Sequence, residues 1–205
     1  MKGVFQHWPN RITAIRFLGA MVLFGILHTL TGDSQAEVRE HRGLVQIAFW
    51  LFVAVAATDF LDGYLARRDK LVSDFGRIAD PFTDKVLIVG ALVFAAAMPW
   101  TRAWVPAWAV VVILAREFLV TGIRGYVEKL GGEFPADGLG KIKMIVQCMA
   151  VGGVLWLEAY AWPEGWYRFW SGLTHVLVWL TLITTLGSGL NYVLHTKRFL
   201  SRSEP

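Results

Sequence analysis

Residues Thr58 to Lys85 read TDFLDGYLARRDKLVSDFGRIADPFTDK, and the rest of the chain is arranged around them. This stretch places four carboxylates at the edges of two apolar segments: Asp59, Asp62, Asp80 and Asp84. Because residues three or four apart share one face of a helix, each pair lies on one side of its own helix. We expect a helical hairpin that brings the two pairs together. Its short link would hold Gly76 and a basic cluster of Arg67, Arg68 and Lys70.

Four aspartates in one place repel one another and raise each other's pKa, unless cations lie among them. All-oxygen sites suit hard divalent ions, and a pair of carboxylate-bridged ions is a common device for phosphoryl transfer. A single aspartate of this kind is often only a solvated helix cap. Four of them on two neighbouring helices predict a metal site.

The composition predicts an all-α integral membrane protein with a single domain, residues 1–205. The chain is 55% hydrophobic with a mean hydropathy of +0.47, and a membrane-spanning helix needs about 20 mostly apolar residues. An amphipathic N-terminal segment, residues 1–11, is expected to lie along the interface. We expect the third span to begin near Asp80-Pro81, with the proline in its first turn. Six spans are predicted: 12–30, 43–66, 77–98, 104–124, 139–160 and 171–195.

The distribution of charge predicts the orientation. Thirteen of the twenty Lys and Arg residues fall on the side that holds both termini and the acidic hairpin, which places that side in the cytoplasm. The net charge of +4 fits anionic lipid headgroups, and no nucleic-acid-binding signature is present. Cys148 has no partner for an internal disulfide and is expected to be a packing residue. Two tryptophan clusters predict anchors at the outer interface: Trp100, Trp104 and Trp108, and Trp162, Trp166 and Trp170.

A second group of charges follows in the fourth and fifth segments. Arg116 lies deep in an apolar run, where an arginine is costly enough to indicate a functional site. With Arg124, two turns further along the same face, and Lys141, it can form an anion pocket. The alternative is an internal ion pair between Arg116 and Glu117. Lys85 either pairs with a carboxylate or screens the aspartates.

Three polar residues near the N-terminus recur at three-residue spacing: Asn10, Thr13 and Arg16. This spacing puts them on one side of the first helix, near its predicted cytoplasmic end. Either they belong to the site, with a weaker claim than the aspartates, or they are a helix N-cap followed by a snorkelling arginine.

The acidic stretch resembles the signature of the CDP-alcohol phosphatidyltransferases. All eight fixed positions are present: Asp59-x-x-Asp62-Gly63-x-x-Ala66-Arg67, eight residues, then Gly76-x-x-x-Asp80-x-x-x-Asp84. The resemblance implies two Mg²⁺ or Mn²⁺ ions on the four aspartates, with Asp84 also the general base. It also implies a site for CDP-diacylglycerol, formed by Asp62, Gly63, Ala66, Arg67, Gly76, Asn10 and Thr13.

The second group is similar to that of the phosphatidylglycerophosphate synthases within this family: Arg116-Glu117-Phe118, Arg124, Gly140-Lys141-x-Lys143 and Gln147. Met144 stands where threonine is expected. This likeness implies phosphatidyl transfer to sn-glycerol 3-phosphate, a homodimer and a bacterial cytoplasmic membrane. The acceptor's phosphate would be bound by Arg116, Arg124, Lys141 and Arg16.

Other functions remain open at this point. A cardiolipin synthase or a phosphatidylinositol-phosphate synthase of the same family would carry the same acidic motif. A divalent-cation transporter is the alternative from another class, since acidic residues in membrane helices also mark ion pathways. It predicts acidic residues through the full depth of the membrane, whereas here they lie at one side.

Overall fold

The computed structural model describes residues 8–69, 74–131 and 138–203, and the side chains of residues 11–58, 82–83, 85–131 and 138–197. Within these ranges all regular secondary structure is helical, which confirms the all-α class. There are seven helices: α1 Trp8–Thr29, α2 Gln35–Glu40, α3 Arg42–Asp69, α4 Asp74–Ala97, α5 Ala107–Lys129, α6 Gly138–Ala159 and α7 Glu164–Ser203.

The six long helices coincide with the six predicted segments, and the short α2 lies between the first two of them, where no helix was predicted. Ser34 caps α2: its hydroxyl accepts from the Glu37 backbone N–H, and its own N–H donates to Glu37 Oε2 at 2.7 Å. The bond from the Ser34 N–H lowers the pKa of Glu37, because it favours the charged carboxylate. The predicted N-terminal interfacial segment lies mostly outside the described residues, and from Trp8 onward the chain already belongs to α1.

Within the described part of the chain, three stretches are long and apolar enough to cross a membrane: Arg11–Thr29, Gly138–Ala159 and Glu164–Lys197. Shorter apolar stretches, Arg42–Thr58 and Lys85–Ala97, lie in α3 and α4. Large apolar side chains are exposed on the outer faces of these helices; Leu18 and Ile183, for example, are each 63% exposed. Such continuous apolar surface needs lipid around it, so the chain is an integral membrane protein. The count of six spans stays a prediction.

Helix α4 begins earlier than the sequence suggested. Its first residue is Asp74, so Gly76 belongs to the helix and only residues 70–73 separate it from the end of α3. Pro81 is therefore the eighth residue of α4 and not part of its first turn, contrary to our expectation. Lacking an N–H, it leaves the carbonyl of Arg77 without the usual helical hydrogen bond.

Helix packing fixes the order of the bundle. Helix α1 packs on α3 and α4, α6 packs on α3, α4 and α7, and α5 packs on α4 and α7. Gly90 of α4 gives the ring of Phe24 room to lie directly against the backbone, because an added Cβ would meet that ring at 2.1 Å. Trp100 was expected at the interface but is 2% exposed, and its indole N–H donates to the Leu30 carbonyl at 3.1 Å. It closes the C-terminal end of α1 instead.

Candidate functional site

The four aspartates lie on the two helices that flank the short link. Asp59 is ten residues before the end of α3, and Asp84 is ten residues after the start of α4. At 1.5 Å per residue, both lie about 15 Å from the link. Asp62 and Asp80 are likewise seven and six residues from it. The two pairs thus occupy matching depths on consecutive helices, and a donor set of four carboxylates fits hard divalent cations.

Other members of the acidic motif lie on the same helices: Gly63, Ala66 and Arg67 on α3 and Gly76 on α4. Asn10 lies in the first turn of α1. The side chains of these residues and of the four aspartates are outside the described ones. Their assignment to the metal and the nucleotide therefore stays a prediction. Thr13 and Arg16 are described, and both are buried on α1, the helix that packs on α3 and α4.

A buried cluster of charges, here called the Glu117 cluster, joins three helices, α4, α5 and α6. Glu117 of α5 accepts from Lys143 of α6, and its Oε1 lies 3.1 Å from Nη1 of Arg116. Lys85 of α4 lies 3.9 Å from Glu117 Oε2 and also donates to the hydroxyl of Thr121. Three cations thus surround one carboxylate, and one of them, Lys85, lies on the helix that bears Asp80 and Asp84.

Arg116 and Arg124 both contact Tyr192 of α7. Arg124 Nη2 donates to the Tyr192 hydroxyl at 2.8 Å, and both guanidinium groups lie within 6 Å of its ring centroid. Arg116 Nη2 also donates to Ser188 at 2.8 Å, whereas its buried Nε has no hydrogen-bond partner among the described residues. Gly189 brings α7 close to this arginine, since an added Cβ would lie 3.0 Å from Arg116 Cγ.

The structure separates the two lysines of the Gly-Lys-x-Lys sequence. Lys143 is buried and bonded to Glu117, whereas Lys141 is exposed in the first turn of α6. Of the four residues expected to bind the acceptor's phosphate, Arg116 and Arg124 are brought together at Tyr192. Arg16 lies on α1, which packs on the two helices that carry the aspartates. Both readings of Arg116 have structural support, because it pairs with Glu117 and retains an unpartnered donor.

An apolar cavity of about 660 Å³ lies between α3, α6 and α7. Its wall includes Ala56 and Ala57, which precede Asp59 by three and two residues on α3. Met144, the departure from the expected threonine, also lines it. An uncharged chamber thus lies directly beside the helical turn that bears the first aspartate. This arrangement suits a ligand with a charged head and a long apolar part.

Comparison with known proteins identifies the family of the chain. The model of the CDP-alcohol phosphatidyltransferase family matches residues 6–187, which include the acidic motif and the Glu117 cluster. The chain belongs to this family. Similar proteins from Bacillus subtilis (32% identity, 90% of this chain and 92% of the relative) and Rickettsia bellii (33%, 95% and 97%) are both named CDP-diacylglycerol–glycerol-3-phosphate 3-phosphatidyltransferase. A relative from Cereibacter sphaeroides with the same name is 34% identical over 71% of this chain.

Proposed function

We propose that this protein transfers the phosphatidyl group of CDP-diacylglycerol to sn-glycerol 3-phosphate and releases CMP. The observation that carries this proposal is that Arg116 and Arg124 of α5 meet at Tyr192, and that α5 packs against α4. An acceptor that carries its own phosphate gives these guanidinium groups an anion to bind. The names of the relatives from Bacillus subtilis and Rickettsia bellii support the same pair of substrates.

The donor would lie between α3 and α4. Asp62, Gly63, Ala66, Arg67 and Gly76, with Asn10 and Thr13 of α1, would bind its nucleotide and phosphates. Small residues such as Gly63 and Ala66 let a bulky group approach the helix backbone. The apolar cavity beside Ala57 supports a lipid donor, because acyl chains can occupy it without leaving hydrocarbon surroundings.

Chemistry would follow at the aspartates. Asp59, Asp62, Asp80 and Asp84 would hold two Mg²⁺ or Mn²⁺ ions, which when bound would stabilise negative charge on the pyrophosphate. Asp84 takes the proton from the acceptor hydroxyl as its oxygen attacks the phosphatidyl phosphorus. The bond between that phosphorus and the CMP oxygen breaks, so CMP leaves and phosphatidylglycerol phosphate forms. Arg116, Arg124, Lys141 and Arg16 hold the acceptor's phosphate so that the hydroxyl is in line.

A direct assay tests this proposal. Purified protein receives CDP-diacylglycerol and one acceptor at a time: glycerol 3-phosphate, phosphatidylglycerol, inositol phosphate, inositol or serine. CMP release is then measured. We expect CMP only with glycerol 3-phosphate, loss of activity in EDTA and recovery with added Mg²⁺ or Mn²⁺. CMP release with another acceptor and none with glycerol 3-phosphate would refute the proposed acceptor. Activity that persists in EDTA would refute the metal site.

A further inference from the structure

A second pocket lies at the end of the bundle opposite to the aspartates. It has a volume of about 310 Å³ and is formed by the start of α3, the end of α6 and the start of α7, with Arg39 of α2 at its edge. Arg42 lines this pocket and is seventeen residues before Asp59 on the same helix. That separation is about 25 Å along α3. The pocket therefore takes no part in chemistry at the acidic motif.

A buried carboxylate forms part of its wall. Glu158 is 6% exposed, and its Oε2 accepts from Gln35 Nε2 at 2.7 Å. Its other oxygen, Oε1, is also buried but has no hydrogen-bond partner among the described residues. A buried carboxylate oxygen without a donor is costly, and most such groups in folded proteins are satisfied by protein, water or ligand. The Tyr167 hydroxyl of the same wall also interacts with this carboxylate, but it makes no close hydrogen bond to Oε1, so Oε1 can accept one from a ligand.

The same pocket presents donors that lack acceptors. Arg39 and Arg42 have no ion pair with any described carboxylate, although both are near enough to Glu158 to influence it electrostatically. Arg42 Nε and Trp162 Nε1 are buried without hydrogen-bond partners. The other carboxylate of the wall, Glu164, is already bonded to Arg168. Two cationic side chains and an indole N–H are thus available to an anion.

The surroundings place this pocket at the depth of lipid headgroups. Trp156, Tyr160, Trp162 and Trp170 form one aromatic cluster beside it. The Trp50 indole N–H also donates to the Tyr160 hydroxyl at 3.0 Å. Amphipathic rings of this kind concentrate where the membrane meets water. A ligand there can reach the pocket from the headgroup layer or from solution.

We propose that this pocket binds a phosphate group that also carries a hydroxyl or ammonium donor, the chemistry of a phospholipid headgroup. The phosphate accepts from Arg39, Arg42 and the Trp162 indole, since guanidinium donors suit phosphate oxygens. The hydroxyl or ammonium group donates to Glu158 Oε1. A phosphocholine headgroup provides the phosphate but has no hydrogen to donate, so it satisfies only half of the site.

The test is native mass spectrometry of the purified, detergent-solubilised protein. The probes are short-chain phosphatidylglycerol, phosphatidylethanolamine and phosphatidylcholine, together with water-soluble phosphoethanolamine. We expect bound phosphatidylglycerol and phosphatidylethanolamine at least about tenfold above phosphatidylcholine. Equal binding of all three lipids would overturn the proposal. Comparable binding of phosphoethanolamine would support it with a soluble ligand, whereas binding of the two lipids alone would support it with a membrane ligand.

Variants test whether the lipid binds in this pocket or elsewhere on the protein surface. Arg39→Ala changes an exposed side chain and leaves the core intact; together with Arg42→Ala it should reduce lipid binding about tenfold. Glu158→Gln should abolish the preference over phosphatidylcholine. Arg102→Ala is the matched control, an exposed arginine outside this pocket, and should bind as the wild type does. Unchanged binding in the variant that combines Arg39→Ala with Arg42→Ala would contradict the proposal. Asp84→Asn should bind normally, which keeps this result independent of the transferase reaction.

Discussion

Glu117 balances three cations inside the bundle. It is 7% exposed, and it contacts Arg116, Lys143 and Lys85 from three different helices. Removing one partner from a buried ion pair leaves charge uncompensated and costs about 3–5 kcal/mol. We therefore expect Glu117→Gln to lower the free energy of unfolding by about 3 kcal/mol. Thermal unfolding in detergent measures this loss.

A second substitution identifies the cause of that loss. Lys143→Met removes one of the uncompensated cations, so Glu117→Gln with Lys143→Met should be more stable than Glu117→Gln alone. Glu128→Gln, an exposed change on the same helix, is the control and should have little effect. Equal losses in Glu117→Gln and Glu128→Gln would show that the cluster is not what stabilises the bundle.

Gly189 tests the position of Arg116 without altering its charge. A methyl group at Gly189 would press on Arg116 Cγ, whereas Gly187, two residues earlier, has open space around it. If Arg116 binds the acceptor, Gly189→Ala should raise KM for glycerol 3-phosphate several-fold and leave KM for the donor unchanged. Gly187→Ala should alter neither. Steady-state kinetics with each substrate varied in turn make the comparison, and an unchanged acceptor KM in Gly189→Ala would exclude this role for Arg116.

Asp84 carries the general-base assignment. Asparagine has nearly the same shape but accepts no proton, so Asp84→Asn should reduce kcat by at least about 100-fold. The fold should persist, as judged by size-exclusion elution and unfolding temperature. Asp74→Asn, at the start of the same helix and outside the acidic motif, should retain activity. If Asp84→Asn turned over at a rate near that of the wild type, Asp84 would not be the base.

The sequence did not reveal which of the two lysines at the start of α6 is buried. Lys141 and Lys143 are two positions apart, so on a helix they point about 200° away from each other. Only one of them can face Glu117. The sequence contains both in one motif, and which one turns inward depends on how α6 is rotated against α5 and α7. The partnership of Arg116 with Glu117 was foreseeable, because a buried cation needs a nearby anion.

Among the helices, α3 both lines the apolar cavity and carries the first two aspartates of the acidic motif. Ala57 lines the cavity, whereas Ala54 is exposed on α3 outside it. Ala57→Trp should fill part of the cavity and raise KM for long-chain CDP-diacylglycerol, with no change for glycerol 3-phosphate. Ala54→Trp is the control and should affect neither constant. Equal donor KM values in Ala57→Trp and the wild type would mean that the acyl chains lie elsewhere.

Helix positions were largely predictable, because long apolar runs bounded by charged or proline-containing loops leave few alternatives. Two local features were not. The expectation for Pro81 used the usual place of proline in a first turn, but α4 extends a further seven residues toward its N-terminus. Helix α2 was missed although Ser34 and Glu37 form a capping box with the spacing of that motif. Its six residues are too short for any hydrophobic period to emerge.

At the scale of the whole molecule, the proposed orientation places the end of α7 in the cytoplasm and the turn between α4 and α5 outside. Arg102 and Lys197 are exposed at these two opposite ends. In a Cys148→Ser background, a membrane-impermeant maleimide should label Arg102→Cys in right-side-out vesicles and Lys197→Cys only in inverted ones. The reverse pattern would invert the protein, and labelling of both from one side would contradict an odd number of crossings between them.

The helices are held together by two kinds of contact, one ionic and one apolar. Charged groups hold α4, α5 and α6 together through Glu117, so sliding any of them would separate a charge from its counter-ion. Helices α3 and α6 are instead hydrogen-bonded at their outer ends, where Gln46 Nε2 donates to the Ala159 carbonyl at 3.0 Å. Around the cavity they meet through apolar side chains. Separating α3 from α6 along the cavity would therefore expose apolar surface to the bilayer without breaking an ion pair among the described residues.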